Sequence, residues 1–416
     1  MTEEQSWLHS LPPGWEKKKL KYVAFLKSGE MITSDTIDAS GEFPVYGGNG
    51  LRGYTSAYTH CGDYVLIGRQ GALCGNINFV SGCFWASEHA IVAKPRVQGV
   101  KTWLGELLRS MELNQYSQSA AQPGLAVEVI SNLDIPVPPA SVQRKIAAFL
   151  DLETVRLDAL VASKERVLRL LAEKRRALIN HAVTRGVGPD VPMRDSRISW
   201  LGEIPTHWET RKLAWLFRER DERGEPELPL LEVSIREGVV LREFSADRIE
   251  STAANFNSYK VARAGDIVFN KMRMWQGAVG VAPVDGLVSP DYVVAVPKGT
   301  MSSQFAGLLF RTDAFSAECA RHSRGIVWDR LRLYWDGFRE IEVPLPALQD
   351  QVKIVEAVTA KTAALDRLRD STFATISLLQ ERRAALIAAA VTGQLPIPGI
   401  ADGLPSEEEM ACSSTT

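Results

Sequence analysis

Two segments of the chain carry apolar residues at helical spacings of three, four and seven. The first stripe comprises Ile146, Leu150, Leu157, Leu160, Leu168, Leu171 and Leu178, and the second comprises Ile354, Val358, Leu365, Leu368, Ile376, Leu379 and Leu386. The intervening residues are mostly charged or polar, which predicts one amphipathic helix of about 40 residues, roughly 60 Å long, in each segment. Two ordinary amphipathic helices of separate domains are the alternative. Because length, stripe and register match, the pattern favours two helices that pair as a coiled coil.

These helices belong to an internal repeat. Glu173 and Glu381 are 208 residues apart, as are Leu178 and Leu386, and the same offset relates LAEKRRALINHAVTRG to LQERRAALIAAAVTGQ and PVPPASVQRKI to PLPALQDQVKI. Further upstream LPPGWEKKKL resembles IPTHWETRKL, with Trp15 and Trp208 separated by 193 residues. A long period of this kind decides the architecture, so the chain is interpreted as two copies of one unit.

The segments before the helices are rich in Gly, aromatic and β-branched residues in short runs, which predicts strands joined by turns with a few helices. Matching stretches include GDYVLIGRQGA with GDIVFNKMRMWQGA and AAQPGLAVEVI with RHSRGIVWDRL. The predicted class is α+β: two tandem mixed α/β domains alternating with two long helices in a pseudo-twofold repeat. Predicted limits are 1–140 and 206–348 for the domains, 141–186 and 349–394 for the helices, 187–205 for a polar linker, and 395–416 for a disordered tail.

Composition narrows the class of protein. With 48 Lys and Arg against 50 Asp and Glu, the formal charge of −2 argues against a general nucleic-acid binder but leaves local basic surfaces open. Five cysteines without a CxxC pair predict reduced thiols in a cytoplasmic protein. The acidic N-terminus and short apolar runs predict no signal peptide and no membrane segment.

Motifs that carry chemistry are missing. GGNGLRG from Gly47 has a formal GxGxxG spacing, but its flanks indicate a turn and not a strand followed by a helix, as a dinucleotide loop requires. Pro290-Asp291 lacks the acidic residue with which a nuclease motif would share a metal. The histidines form no triad pattern, a zinc site is disfavoured by the Cys and His spacings, and no P-loop is present. We therefore expect a non-catalytic chain without a metal or cofactor of its own.

The order of these parts resembles the specificity subunit of type I restriction-modification enzymes. The resemblance rests on QPGLAVEVISNLDIPVPP, QRKIAAFLDLET, VPLPALQDQVKI, EKRRALI and ERRAALI, and on the GWEKKKL and HWETRKL openings, and it covers about residues 11–396. It implies that each domain is a target-recognition domain for one half of a split, asymmetric DNA site. It further implies that the helices pair antiparallel and act as a spacer.

The resemblance places catalysis in partner proteins. Two modification subunits, with S-adenosylmethionine, would methylate adenine, and two restriction subunits with motor and nuclease activity, dependent on ATP and Mg, would join them on double-stranded DNA. A tandem repeat can also mimic a symmetric dimer and present two reading surfaces at a fixed separation.

Long polar and cationic side chains in the Gly-rich loops are the candidates for DNA contact. They are Arg52, Tyr54, Arg69, Gln70, Asn76, His89 and Gln122 in the first domain, and Asn270, Lys271, Arg273, Trp275, Gln276, Arg321 and Arg324 in the second. Arg bonds guanine bidentately and Asn or Gln bonds adenine, whereas Lys mostly meets phosphate. Each residue taken singly could also be a solvated loop residue, and the basic helix ends at Lys174–Arg176 and Arg382–Arg383 are either docking or solvated groups.

Two other functions remain open at this point. One is the specificity chain of an orphan or BREX-like methylation system that works without a nuclease. The other is a two-domain scaffold or carbohydrate-binding protein that does not bind DNA.

Overall fold

The computed structural model describes residues 11–71, 73–117, 124–188, 190–242, 256–325 and 331–397. Contacts divide the chain into two compact units. Unit 1 comprises Met1–Glu165 with Phe373–Thr416, and unit 2 comprises Arg166–Thr372. Each long helix therefore contributes to both units, and the domain limits predicted above stay predictions.

Unit 1 is organised around a six-stranded sheet with the order β2-β7-β5-β6-β3-β4. Neighbouring strands are antiparallel except for β3 and β6, which are parallel. The central strand β5 is apolar along Val65, Leu66 and Ile67, because both faces of the sheet are covered. The strands of this unit are β1 (Glu16–Lys19), β2 (Ala24–Ser28), β3 (Phe43–Gly47), β4 (Gly50–Thr55), β5 (His60–Gly68), β6 (Ile77–Ala86), β7 (Ala90–Pro95) and β8 (Asp134–Val137).

Helix α1 (Lys101–Ser110) covers one face of this sheet. Its buried Trp103, Leu104, Leu107 and Leu108 recur at spacings of three and four, so they form one apolar face. They share a core with residues of β5 and β6 and with the long helices. The short helix α2 (Val127–Ser131) leads into β8, which pairs with β1 and is followed by the long helix α3 (Ala140–Arg185).

Unit 2 repeats this frame. Its four-stranded sheet has the order β12-β19-β16-β17, which corresponds to β2-β7-β5-β6, and β11 pairs with β20 as β1 pairs with β8. The strands are β9 (Met193–Asp195), β10 (Glu203–Pro205), β11 (Glu209–Lys212), β12 (Phe217–Arg220), β13 (Leu231–Ser234), β14 (Gly238–Leu241), β15 (Lys260–Ala262), β16 (Ile267–Asn270), β17 (Val279–Val281), β18 (Gly286–Val288), β19 (Tyr292–Pro297) and β20 (Glu342–Leu345). The helices are α4 (Leu213–Leu216), α5 (Ser303–Phe310), α6 (Asp313–Arg321), α7 (Trp335–Glu340) and α8 (Leu348–Val391). The predicted α+β class and internal repeat are confirmed.

The predicted linker contains ordered structure. Strands β9 and β10 pair antiparallel, and Leu201 and Ile204 are buried in the core of unit 2. The few apolar residues of this polar stretch therefore tie it to the domain that follows.

The long helices pair antiparallel within each unit. In unit 1, the first turns of α3, with Ile146 and Leu150, share a core with Ile387 and Val391 near the end of α8. In unit 2, Leu178 and Ala182 near the end of α3 share a core with Ile354 and Val358 in the first turns of α8. The predicted pairing is confirmed.

Two of the predicted stripe residues lie outside the contact. Leu160 is 43% exposed and Leu368, which is 208 residues further on, is 51% exposed. The contact instead follows alternating steps of four and three, so polar residues hold positions in it: Thr154 is half-buried, and Thr362 and Thr372 are buried. Apolar spacing alone does not reveal these threonine positions. The other members of both stripes are buried or half-buried.

The cysteine prediction is wrong in part. Cys61 and Cys83 form a disulfide, because they are directly opposite each other on the antiparallel strands β5 and β6. Their separation of 22 residues gave no sign of this register. Cys74 and Cys319 are free and buried, and Cys412 lies outside the described residues. Among the helices of the described ranges, none is long and apolar enough to cross a membrane.

Candidate nucleic-acid interface

Three loops of unit 1 meet at the end of strand β5. The first is the turn between β3 and β4, the second follows β5 at Gly68, and the third is Ser87–His89 before β7. A Cβ atom on Gly48 would lie 2.9 Å from the His89 carbonyl oxygen and 3.4 Å from the Gly68 Cα. Only glycine permits this close approach, so the GGNG stretch is a packing turn, as the sequence predicted.

Arg69, Gln70 and His89 form one polar cluster on these loops. The Arg69 backbone N–H donates to the His89 carbonyl at 2.9 Å, and its guanidinium donates to the Glu88 carbonyl at 3.5 Å. His89 Nδ1 lies 3.2 Å from Gln70 Oε1, and His89 Nε2 lies 3.1 Å from Glu88 Oε1. These contacts bring the donors and acceptors of three side chains together, which suits the recognition of base edges.

The remaining candidates of unit 1 differ in how close they lie to this cluster. Arg52 is exposed on β4, and its Cδ would lie 2.6 Å from a Cβ on Gly47, so it borders the same turn. Asn76 is exposed just before β6, and its carbonyl accepts from the Gly68 N–H at 2.8 Å. Tyr54 is half-buried and exchanges backbone hydrogen bonds with Asp38, so it lies on the outer strand and not in the loop cluster. Gln122 lies outside the described residues.

The equivalent loop of unit 2 follows β16, as the Arg69 loop follows β5. Asn270 Oδ1 accepts from the Met272 N–H at 2.9 Å, and the Trp275 indole N–H donates to the Met272 carbonyl at 3.0 Å. Lys271 Nζ donates to the Pro290 carbonyl at 3.3 Å. Arg273 and Gln276 are exposed on this loop, and Arg273 is close enough to Tyr292 to oppose the rise in its pKa that burial causes.

Arg321 and Arg324 come from a neighbouring part of unit 2. Arg324 is exposed and forms a backbone bridge with Arg332, and the next residue, Leu333, donates to the Lys271 carbonyl at 2.9 Å. Arg324 is therefore close to the loop after β16. Arg321 lies on α6, where its guanidinium is 3.3 Å from Glu318 Oε2 and 3.3 Å from Ser199 Oγ, so it is held by its own unit.

The structure adds two residues that the sequence did not single out. Asn78 lies beside the β3–β4 turn, with its Oδ1 3.2 Å from the Cβ position of Gly50, and its buried amide nitrogen has no hydrogen-bond partner in the described part of the chain. Arg332 is exposed and forms a backbone bridge with Arg324, so it lies close to the loop that carries Lys271. Asn78 sits in an apolar strand, and the 208-residue offset aligns Arg332 with Gly124, so neither had a motif signal.

The basic helix ends are not simply solvated. Arg383 pairs with Asp158 at 2.9 Å within unit 1, and Arg175 pairs with Asp366 at 2.8 Å within unit 2. Arg176 is 3.9 Å from Asp313. Within the described ranges, no group of three or more His, Cys, Asp or Glu residues is arranged to hold a metal ion.

Comparison with known proteins shows similarity to one family over part of the chain. The profile of the family described as "Type I restriction modification DNA specificity domain" matches residues 12–162. The "Type I restriction enzyme EcoprrI specificity subunit" of Escherichia coli is 39% identical over 160 residues, which are 37% of this chain and 39% of that protein. The alignment thus spans less than half the length of the relative.

Two solved structures are similar over nearly the whole chain. A chain from a structure described as "Structural basis underlying complex assembly and conformational transition of the type I R-M system" has a TM-score of 0.67 at 16% identity, covering 93% of this chain and 100% of that chain. The HsdS subunit from Thermoanaerobacter tengcongensis has a TM-score of 0.52 at 17% identity, covering 95% of this chain and 100% of that chain. At these identities the likeness concerns the fold.

Proposed function

We propose that the chain is the DNA sequence-specificity subunit of a type I restriction-modification complex, because residues 12–162 match the profile of the type I restriction modification DNA specificity domain. The main support is that two units repeat one strand order and place polar loops after the equivalent strands β5 and β16. The domain match and the relative named as a specificity subunit favour this function over a scaffold or a carbohydrate-binding protein.

Each unit reads one half of a bipartite DNA site. Because the loop after β5 carries Arg69 and Gln70 whereas the loop after β16 carries Asn270, Lys271 and Arg273, the two half-sites differ, and the site is asymmetric. The helices set the gap between the half-sites and dock two modification subunits.

The chain itself is non-catalytic and acts in the cytoplasm. S-adenosylmethionine, ATP and Mg belong to the partners, of which two are restriction subunits in a complete complex. A methylation-only assembly would contain the same chain with the modification subunits alone.

Mapping of methylated adenine tests this function. The full chain is expressed with the modification subunit encoded beside it, in a host without other methylation, and methylated positions are found by long-read sequencing. We expect one split, asymmetric motif that is absent when the modification subunit is expressed alone. A continuous or palindromic motif, or methylation that does not depend on this chain, contradicts the proposal.

Two further measurements address the partners. The purified chain alone is expected to transfer no labelled methyl group to DNA, and transfer by the chain would refute its non-catalytic role. Affinity purification from the native host is expected to recover modification and restriction subunits together. Recovery of the modification subunit alone would assign the chain to a methylation-only system.

A further inference from the structure

Helices α1 and α5 are equivalent in the two units but differ at one chemically important position. Trp103 and Phe305 are 202 residues apart, and the same offset relates Leu107 to Leu309 and Leu108 to Phe310, all of them buried. This register aligns Arg109 with Arg311. It also aligns Glu106 with Leu308, so unit 2 has the arginine without the glutamate.

In unit 1 the Glu106 carboxylate is held by arginine. Its side chain is 4% exposed, and it accepts two hydrogen bonds from Arg109 Nη1, at 2.7 and 2.9 Å. Burial raises the pKa of Glu106, while the charges of Arg109 and, at longer range, Arg383 oppose that rise. A buried carboxylate is tolerated here because it is paired and hydrogen-bonded.

In unit 2 the equivalent arginine has no carboxylate. Arg311 donates to the backbone carbonyls of Ile235, at 3.0 Å, and Arg236. Arg175, which is the 208-residue counterpart of Arg383, approaches from α3. Burial and the charge of Arg175 lower the pKa of Arg311. Across the described residues of this unit, no carboxylate oxygen lies within 4.0 Å of Arg311.

A cavity of about 830 Å³ opens at this position in unit 2. Its lining includes Arg175, Arg176, Arg236 and Arg311 against Glu237 and Asp313. Asp366 pairs with Arg175 at 2.8 Å from outside the lining, so one positive charge remains in excess. Its walls also contain the apolar side chains of Ile179, Val239, Val281, Leu308 and Val355. A cavity of this size, with apolar walls on one part and convergent charged groups on another, is compatible with a small-molecule site.

We propose that this cavity binds a small organic carboxylate. Its charged group lies at Arg311, in the position that the Glu106 carboxylate occupies in unit 1, and its apolar body lies against Val281, Leu308 and Val355. The proposal does not depend on the bases that unit 2 reads, and it makes unit 2 the ligand-responsive half of the chain.

Calorimetry on the full chain tests the site with benzoate, its neutral amide benzamide, and inorganic phosphate. We expect benzoate to bind at least about tenfold more tightly than benzamide, because hydrogen bonds to a charged group are stronger than those to a neutral one. Equal binding of benzamide, or tighter binding of inorganic phosphate, overturns the assignment to a carboxylate.

Three variants locate the binding. Leu308→Glu supplies a carboxylate to Arg311 from the chain itself and is expected to abolish benzoate binding. Arg311→Gln is expected to weaken it about tenfold or more, and it decides the question if Leu308→Glu does not fold. Arg109→Gln, at the equivalent place in unit 1, is the matched control and is expected to leave benzoate affinity unchanged. Full benzoate affinity in folded Arg311→Gln, or loss of affinity in folded Arg109→Gln, overturns the proposal.

Discussion

The two units share a common core of four strands and one covering helix, but their loops differ. The order β2-β7-β5-β6 recurs as β12-β19-β16-β17, and the apolar positions of α1 recur in α5. The loop after β5 carries Arg69 and Gln70, whereas the loop after β16 carries Asn270, Lys271 and Arg273. Unit 1 extends its sheet with β3 and β4, while in unit 2 β13 and β14 form a separate pair. The buried positions of the core tolerate few changes of residue, whereas the exposed loops can differ in sequence between the units.

The largest change is expected from lengthening one helix. Four residues inserted between Glu165 and Arg166 add one turn of about 6 Å to α3. We expect the gap in the methylated motif to widen by about two base pairs, given the 3.4 Å rise per base pair, with both half-sites unchanged. Methylome sequencing measures this.

A matched insertion supplies the control for that experiment. The same four residues placed after Gly224, an exposed residue with φ of 93° between β12 and β13, are expected to leave the gap unchanged. Altered half-sites in the helix variant would refute the spacer role.

The next largest effect is a loss of stability when a buried ring of the core is removed. Trp103→Ala and Phe305→Ala each remove a fully buried ring, and each is expected to lower the free energy of unfolding of its own unit by about 3–5 kcal/mol. Hydrogen exchange in each variant should rise chiefly in the substituted unit. A uniform rise over both units would show that they unfold together.

A smaller effect is expected when DNA contacts are removed from one unit at a time. Arg69→Ala is expected to weaken recognition at one half-site and Arg273→Ala at the other, each by about 1–3 kcal/mol. Binding assays on DNA with single base changes in either half measure this. If each variant loses the same affinity on all sequences, the arginines contact phosphate and not bases. Arg321→Ala, whose guanidinium is held by Glu318 and Ser199, is the comparison with a smaller expected effect.

The smallest effect concerns the ion pairs of the helices. Arg383→Ala and Arg175→Ala each break a partly exposed pair, with Asp158 and Asp366 respectively, and each is expected to cost about 0.2–1 kcal/mol. Double-mutant cycles with Asp158→Ala and Asp366→Ala measure the coupling. If a coupling free energy is measured in one unit alone, the two equivalent ion pairs do not contribute equally to stability.

The frame could be predicted from sequence because its signal is periodic. The helices, the duplicated strand units and the turn at Gly48 follow from apolar spacing and from glycine. The predictions that were wrong concern contacts between residues that are far apart in the sequence. Thr362 and Thr372 are buried in the helix contact although they are polar, Leu368 is exposed although it is apolar, and Cys61 meets Cys83 only through the register of β5 and β6. The exchange of Glu106 for Leu308 becomes visible only when α1 and α5 are superimposed by their buried residues.

The two helix ion pairs have a genetic consequence. Asp158 and Arg175 are on α3, their partners Arg383 and Asp366 are on α8, and the repeat of 208 residues turns one pair into the other. A crossover between DNA stretches that encode these related helices therefore keeps an acid opposite a base. We expect recombination at such stretches to exchange whole readers between chains and to create new specificities without any change in the parts that hold the readers.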